Sequence, residues 1–250
     1  DRLETVDYST TSSLVHEYYG DTDKLVRSTY YYKGNVTYKI DYEYYGEYDR
    51  LRAKIYNYSS GYYRKYEYDP ESGKLVKVSN SNGYDTYYEY DSLDRISRVD
   101  YAYGYTTFYT YYGNTQSVKT RSYVNTDGKV TTYEYLEDGR ISKVTTWDGS
   151  ETTYIYDGLD RLIRIEHSSG AYGEYTYDGD SHRVLSYIYY YGDGTSYSYE
   201  YTYYPDGTRR TYSYTTRNGD VTTYDYGTDG RIDTITYPDG TVATYTYNGD

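Results

Sequence analysis

The sequence predicts an all-β protein, an array of about ten antiparallel β-hairpin repeats of 21–26 residues forming a long coiled or spiralling sheet. Three observations predict it. A basic residue followed by an aliphatic one recurs at a nearly fixed period, a Tyr-x-Tyr strand precedes it, and Gly-containing turn dipeptides punctuate both. A period in the tens of residues decides the fold class before any local reading does.

The anchors of the period are Lys24, Arg50, Lys74, Arg95, Ser117, Arg140, Arg161, Arg183, Thr208 and Arg231, spaced by 26, 24, 21, 22, 23, 21, 22, 25 and 23 residues. Eight of the ten are Lys or Arg, and Leu, Ile or Val follows directly at nine, so the slot demands a cation and then an apolar side chain. Upstream of each anchor stands an aromatic strand. Tyr88-Glu-Tyr90, Tyr133-Glu-Tyr135, Tyr154-Ile-Tyr156, Tyr175-Thr-Tyr177 and Tyr224-Asp-Tyr226 hold this slot, and Glu17 to Gly20 and Glu43 to Gly46 are its degenerate early forms.

Each period turns twice. Asp-Gly begins at Asp127, Asp138, Asp148, Asp157, Asp178, Asp193, Asp206, Asp229 and Asp239, and Asn-Gly at Asn82, Asn218 and Asn248. Such dipeptides tolerate the positive φ of tight hairpins. Between turns the side chains alternate, as in Val130 to Tyr135, where Thr131, Tyr133 and Tyr135 share one face. No window has helical periodicity, and Pro70, Pro205 and Pro238 all sit at turns. No linker or composition shift divides the chain, which reads as one array over residues 1–250.

Two strands per repeat imply roughly 20 strands and, at about 4.8 Å each, roughly 100 Å of sheet. Sheets beyond about ten strands coil, close or split. Val, Ile, Leu and Phe make up well under a fifth of the chain, which with a net charge of −13 would ordinarily mean disorder. The 51 tyrosines reverse that inference, because a tyrosine ring is core material with a polar tip. Tyr88, Tyr90, Tyr133, Tyr135, Tyr154, Tyr156, Tyr175, Tyr177, Tyr224 and Tyr226 are therefore the expected structural ladder.

These residues resemble the Rhs/YD-repeat family, whose hallmark is Tyr-x-Tyr-Asp, a turn, and Gly-Arg-Leu. Tyr154 to Leu162 follows it with Asp160 in place of the glycine, while Gly139-Arg140-Ile141 and Gly230-Arg231-Ile232 keep the glycine. The resemblance implies a hairpin ribbon spiralling into the wall of a hollow shell, which encloses a cargo polypeptide in bacterial toxins and forms part of an adhesive ectodomain in teneurins. The Asp-Pro-x-Gly-Leu segment that closes the bacterial shell is missing, and the sequence stops inside a repeat at Asn248 to Asp250. It reads as wall without plug or cargo, a mature or excised segment. Choline-binding repeats share the period but use tryptophan cages, and Trp147 is the only tryptophan.

Charge and composition narrow the function. With 39 acidic against 26 basic residues, nucleic acid and anionic membrane are disfavoured partners, and no apolar run spans a bilayer. Without cysteine there are neither disulfides nor thiolate sites, and Asn35-Val-Thr37 and Asn57-Tyr-Ser59 are compatible with secretion. His16, His167 and His182 share no repeat slot, and no nucleophile elbow appears, so no catalytic residue and no cofactor is assigned. The paired acids Asp91/Asp94 and Asp157/Asp160 are weak calcium candidates, against the plainer reading as turn residues. The expectation is a non-enzymatic extracellular or cell-surface wall, scaffold or self-assembling filament subunit. Its partners are other copies or neighbouring repeats of a larger chain, with a glycan or an enclosed polypeptide as possible ligands. The alternative is an adhesin or glycan-binding module using exposed tyrosines.

Overall fold

The structure is a computed structural model and describes residues 2–46 and 50–247. The Asn-Gly turn expected at Asn248, and the stop inside a repeat, lie outside the described residues. The chain divides into two compact units, one up to Val130 and one from Thr131, a boundary that falls after the first residue of the strand Val130–Tyr135, which is counted with the second unit.

The first unit contains β1 (Arg2–Ser9), β2 (Ser12–Tyr18), β3 (Leu25–Tyr32), β4 (Asn35–Tyr44), β5 (Leu51–Tyr58), β6 (Tyr63–Tyr68), β7 (Leu75–Asn80), β8 (Thr86–Tyr90), β9 (Ile96–Asp100), β10 (Thr106–Tyr111) and β11 (Val118–Val124). The second contains β12 (Val130–Tyr135), β13 (Ile141–Thr145), β14 (Glu151–Tyr156), β15 (Leu162–His167), β16 (Tyr172–Tyr177), β17 (Val184–Tyr190), β18 (Ser196–Tyr203), β19 (Arg209–Thr215), β20 (Val221–Tyr226), β21 (Ile232–Thr236) and β22 (Val242–Thr244). Among the described residues every element is a strand, and within each unit the strands pair antiparallel with their sequence neighbours. The all-β hairpin array is what the period predicts.

The turns explain the Gly spacing. At Thr146 to Ser150, the Gly149 N–H donates to the Thr146 carbonyl and the Thr146 N–H to the Ser150 carbonyl. That is a type I turn closed by a left-handed residue, Gly149 at φ 84°. Only the glycine of Asp-Gly takes positive φ, whereas a two-residue type I′ turn would have required it of the aspartate too. Asp157-Gly158 is the exception, since there the left-handed residue is Asp160, at φ 63°.

A second feature recurs ten times among the described residues. The hairpin register slips at the second tyrosine, as at Glu89/Tyr90, Ile155/Tyr156 and Thr176/Tyr177, where one extra residue bulges on the following strand. A bulge bends the strand and re-aims its side chain. It places the second tyrosine beside the aliphatic residue that follows the anchor.

Each ladder has two chemically distinct faces. On one, the first tyrosine of the pair stands opposite an aliphatic residue: Tyr66 and Val78, Tyr88 and Val99, Tyr133 and Val144, Tyr154 and Ile165, Tyr224 and Ile235. The other face carries charges and hydroxyls, such as Glu134 opposite Lys143 and Thr176 opposite Ser186. Among the described residues of each unit, strands touch only their sequence neighbours, and no second layer covers either face. The fully buried set is accordingly small: Ala53, Val78, Val99, Ala171 and Ile235, with Ser28, Thr29 and Thr107. A sheet one layer thick can use tyrosine where a sandwich would use leucine, since the ring flank packs while the hydroxyl stays solvated or bonded.

Candidate functional site

The most developed constellation is a latch that joins successive repeats at six places within the two units. The second tyrosine of a repeat donates its hydroxyl to the carbonyl of the aliphatic residue after the preceding anchor. Tyr90 bonds Leu75 (2.8 Å), Tyr111 bonds Ile96 (2.7 Å), Tyr156 bonds Ile141 (2.8 Å), Tyr177 bonds Leu162 (2.7 Å), Tyr203 bonds Val184 (2.7 Å) and Tyr247 bonds Ile232 (2.9 Å). The anchor cation of the preceding repeat lies over the same ring: Lys74 over Tyr90 at 5.0 Å, Arg95 over Tyr111 at 4.3 Å, Arg140 over Tyr156 at 4.5 Å and Arg161 over Tyr177 at 4.6 Å. Such cation–π contacts contribute about 0.5–2 kcal/mol each, more as they are desolvated.

The anchor then reaches into the next turn. Where that turn is the longer kind, the guanidinium donates to two of its carbonyls: Arg50 to Pro70 (2.6 Å) and Glu71 (2.8 Å), Arg95 to Gly113 (2.9 Å) and Thr115 (2.6 Å), Arg161 to Gly179 and Ser181 (both 2.6 Å). Where it is the shorter kind closed by a left-handed aspartate, the cation pairs with that carboxylate: Lys74 with Asp94, and Arg140 with Asp160 at 2.8 Å. The strained backbone of Asp94 and Asp160 is thus matched by a partner that a glycine would not hold. Arg183 precedes Gly207 instead, and its Nη1 sits 2.9 Å from where a Cβ there would stand.

The sequence-predicted acids are all part of this machinery. Asp91 Oδ1 accepts the backbone N–H groups of Leu93 and Arg95, while Oδ2 takes the Arg95 guanidinium at 2.8 Å. Asp157 does the same with Leu159 and Arg161. The arginine side chain first, and then these backbone donors, hold both carboxyls below the ordinary aspartate range. Among the described residues no group of three or more His, Asp or Glu is placed to hold a metal ion. His16 Nδ1 pairs with Ser28 Oγ at 2.9 Å and His167 Nδ1 with Thr152 Oγ1 at 3.1 Å, each across neighbouring strands.

Of the ten predicted ladder tyrosines, Tyr90, Tyr156 and Tyr177 are latch residues. Tyr88, Tyr133 and Tyr154 stand opposite aliphatic residues across the hairpin. Tyr135 lies at a bulge opposite Ile141, and Tyr226 lies 5.7 Å from Arg209 and accepts the Tyr204 hydroxyl at its carbonyl. Ring-on-ring stacking concentrates in the second unit, where Tyr175, Tyr187, Tyr199, Tyr212 and Tyr224 follow one another at 4.5, 6.2, 6.0 and 5.5 Å. Burial raises the Tyr175 and Tyr187 hydroxyls above the ordinary phenol range. Beside this stack, an open concavity of about 540 Å³ is lined by Tyr187, Tyr199, Tyr201, Tyr203, Arg183 and Arg209, with His182 at its border. The period locates the anchors and their tyrosines, but contact of one repeat's cation with the next repeat's ring could have been found only by comparing the anchor with the turn one repeat downstream.

Together these observations define a β-hairpin repeat array in which, among the described residues, six joints between successive repeats carry the latch. Residues 135–172 match the family described as RHS Repeat, and the chain carries an Rhs repeat there, as the Tyr154 to Leu162 signature implies. No curated protein matches the sequence. Among solved structures, a TcdB2–TccC3–Cdc42 crystal structure is 15% identical over 91% of this chain and 16% of that chain, with a TM-score of 0.45. A Photorhabdus luminescens Tc holotoxin pore is 14% identical over 92% and 16%, also at 0.45. A porin-like protein from Bacteroides uniformis is 13% identical over 92% and 90%, at 0.30. The chain thus spans 16% of the Tc toxin chains it matches. Among the described residues no helix is long and apolar enough to cross a membrane.

Proposed function

We propose that the chain is a non-enzymatic wall or scaffold, one array over residues 1–250, working outside the cell or at its surface. The observation that carries this reading is the latch. The anchor cations, second tyrosines and turn aspartates are the groups that acid–base chemistry or metal binding would need, and they are engaged in joining repeat to repeat. A network of this kind stiffens the sheet between neighbours, and array stability becomes a sum over such joints. The partners of a wall are further copies, or further repeats of a larger chain, and its tyrosine face could line an enclosed polypeptide.

Negative-stain electron microscopy over a concentration series tests the scaffold. Rods or filaments growing with concentration support it, and isolated compact particles that bind a polysaccharide saturably overturn it. The tyrosine and arginine concavity at Tyr199 and Arg209 favours a second reading, a glycan-binding surface, since aromatic faces and guanidinium donors suit sugar rings. Loss of saturable glycan binding in Tyr199→Ser and Tyr201→Ser would support that reading. For the four calcium candidates, we propose a turn-forming role. A melting temperature unmoved between calcium and a chelator is the expected result, and a rise with calcium would restore the metal.

A further inference from the structure

Successive turns of an antiparallel array lie on alternate edges of the sheet. The latch occupies the edge where each Tyr-x-Tyr strand turns into its anchor. The other edge carries the second turn of every repeat, and it is fastened differently in the two units. In the second unit Arg217 bolts two such turns together. Its guanidinium lies over the Tyr191 ring at 4.3 Å, donates to Thr195 Oγ1 at 2.6 Å and pairs with Asp193. In the first unit two such turns meet through rings instead. Tyr84, between β7 and β8, and Tyr103, between β9 and β10, have centroids 4.7 Å apart and planes 36° from parallel. Among the described residues this is the shortest ring contact of the first unit.

Two observations make the pair reactive as well as packed. The first is accessibility with freedom to turn. Tyr84 is 40% exposed and Tyr103 59%, and both stand on turns, outside the hydrogen-bonded ladder. Equally close pairs in the second unit, Tyr175 with Tyr187 at 4.5 Å and Tyr172 with Tyr190 at 4.6 Å, are half-buried and face each other from paired strands. Their stacked or tilted geometry is fixed by the backbone on both sides. The second observation is composition. Sulfur side chains are the usual first targets of oxidation, and this sequence holds 51 tyrosines with neither cysteine nor methionine. Trp147, the one tryptophan, belongs to the second unit. Oxidising equivalents reaching the first unit therefore meet phenols.

We propose that Tyr84 and Tyr103 are an oxidative cross-linking site, joined as dityrosine by a haem peroxidase acting with hydrogen peroxide. Each phenol gives up one electron and its hydroxyl proton. The two phenoxyl radicals couple through the ring carbons ortho to oxygen, forming one C–C bond. Each of those carbons then passes its hydrogen to its own oxygen, which restores both phenols. The pair has lost two electrons and two protons, and peroxide takes them up to become two waters. The proposal rests on the wall reading and adds how such a wall is hardened. The new bond closes a loop about one repeat long and restricts the unfolded chain as a disulfide does.

The test treats the dilute full chain with haem peroxidase and hydrogen peroxide, then isolates the monomer. Dityrosine fluorescence and tryptic mass spectrometry read the product. The expected species joins the peptides Val78–Arg95 and Val99–Lys119 and is lighter than their sum by two hydrogens. Tyr84→Phe and Tyr103→Phe keep the ring contact but cannot form the phenoxyl radical, and each should abolish that species. Tyr87→Phe, 46% exposed and over Lys77 rather than a ring, should leave it unchanged. Dityrosine found only between chains, or an internal cross-link that survives in both phenylalanine variants, overturns the site. A cross-linked monomer that unfolds at the same urea concentration as treated Tyr103→Phe overturns the hardening. Rods of untreated protein without the cross-link overturn the site and leave the wall reading, whereas compact particles that bind a glycan saturably strike the wall reading and leave the cross-link result standing.

Discussion

Replacing Arg161 by alanine should be among the costliest single changes in the second unit. Its side chain is 12% exposed and makes four contacts at once, of three kinds. The guanidinium holds Asp157 (2.7 Å), donates to the Gly179 and Ser181 carbonyls (2.6 Å each), and lies over the Tyr177 ring (4.6 Å). Charge-assisted hydrogen bonds contribute roughly 1.5–3 kcal/mol and the ring contact about 0.5–2. These are not additive, and truncation releases side-chain entropy, so the expected loss is about 3 kcal/mol. Arg161→Lys should recover roughly half of it. The ammonium can sit over the ring as Lys74 does over Tyr90, but it cannot span the carboxylate and two carbonyls with a planar fork. The assay is urea unfolding at neutral pH followed by Trp147 fluorescence and by far-UV circular dichroism, with coincidence of the two signals checked because repeat arrays can lose cooperativity. The exposed Arg210, 5.9 Å from the Tyr204 ring, is the control, with an expected loss of about 0.5 kcal/mol or less. An Arg161→Ala loss no greater than that of Arg210→Ala would refute the latch as a source of stability.

Tyr177→Phe keeps the ring beneath Arg161 and removes only the bond to Leu162, so its cost should be about 1 kcal/mol in the same titration. Gly230→Asp should destabilise by about 1 kcal/mol because the left-handed backbone there follows the uncharged anchor Thr208, and adding Thr208→Arg should return most of the loss. Gly173→Ala should cost about 1–3 kcal/mol by thermal melting, since a Cβ would stand 2.7 Å from the Tyr187 ring, which is held in the tyrosine stack. Alkali should unfold the array. Burial raises the Tyr90, Tyr111, Tyr156 and Tyr177 hydroxyls above the unfolded value of about 10, so their contribution is complete below pH 10 and is lost as pH rises through the folded values. Tyrosinate absorbance lagging behind that of free tyrosine, then rising together with loss of circular dichroism, is the expected titration.

The architecture was legible because it is periodic. Anchors, Tyr-x-Tyr strands and turn glycines are local signals, and each repeat reinforces the others. The site was less legible because its contacts run between repeats. The signature of Tyr154 to Leu162 shows Asp160 as a departure from glycine, yet its reason lies 20 residues earlier, in Arg140. The stacking of tyrosines was expected along the whole array, whereas the residue four beyond the anchor decides it. Where that residue is Val78, Val99, Val144 or Ile165 the first tyrosine meets an aliphatic side chain across the hairpin, and where it is Tyr187 or Tyr212 it meets another ring. Alternation reveals which face a side chain takes but not its neighbour across the hairpin, because the bulge at every second tyrosine shifts the count by one.

The latch spans a short stretch of sequence: 15 residues separate Tyr177 from Leu162 and Tyr156 from Ile141. A contact that local closes cheaply and early. As the chain leaves a ribosome or an export channel, each finished repeat can fasten to the one before it without waiting for distant residues. Growth of the sheet can therefore keep pace with delivery of the chain, and at the growing end only the newest strand is left with an open edge on which a stray polypeptide could pair.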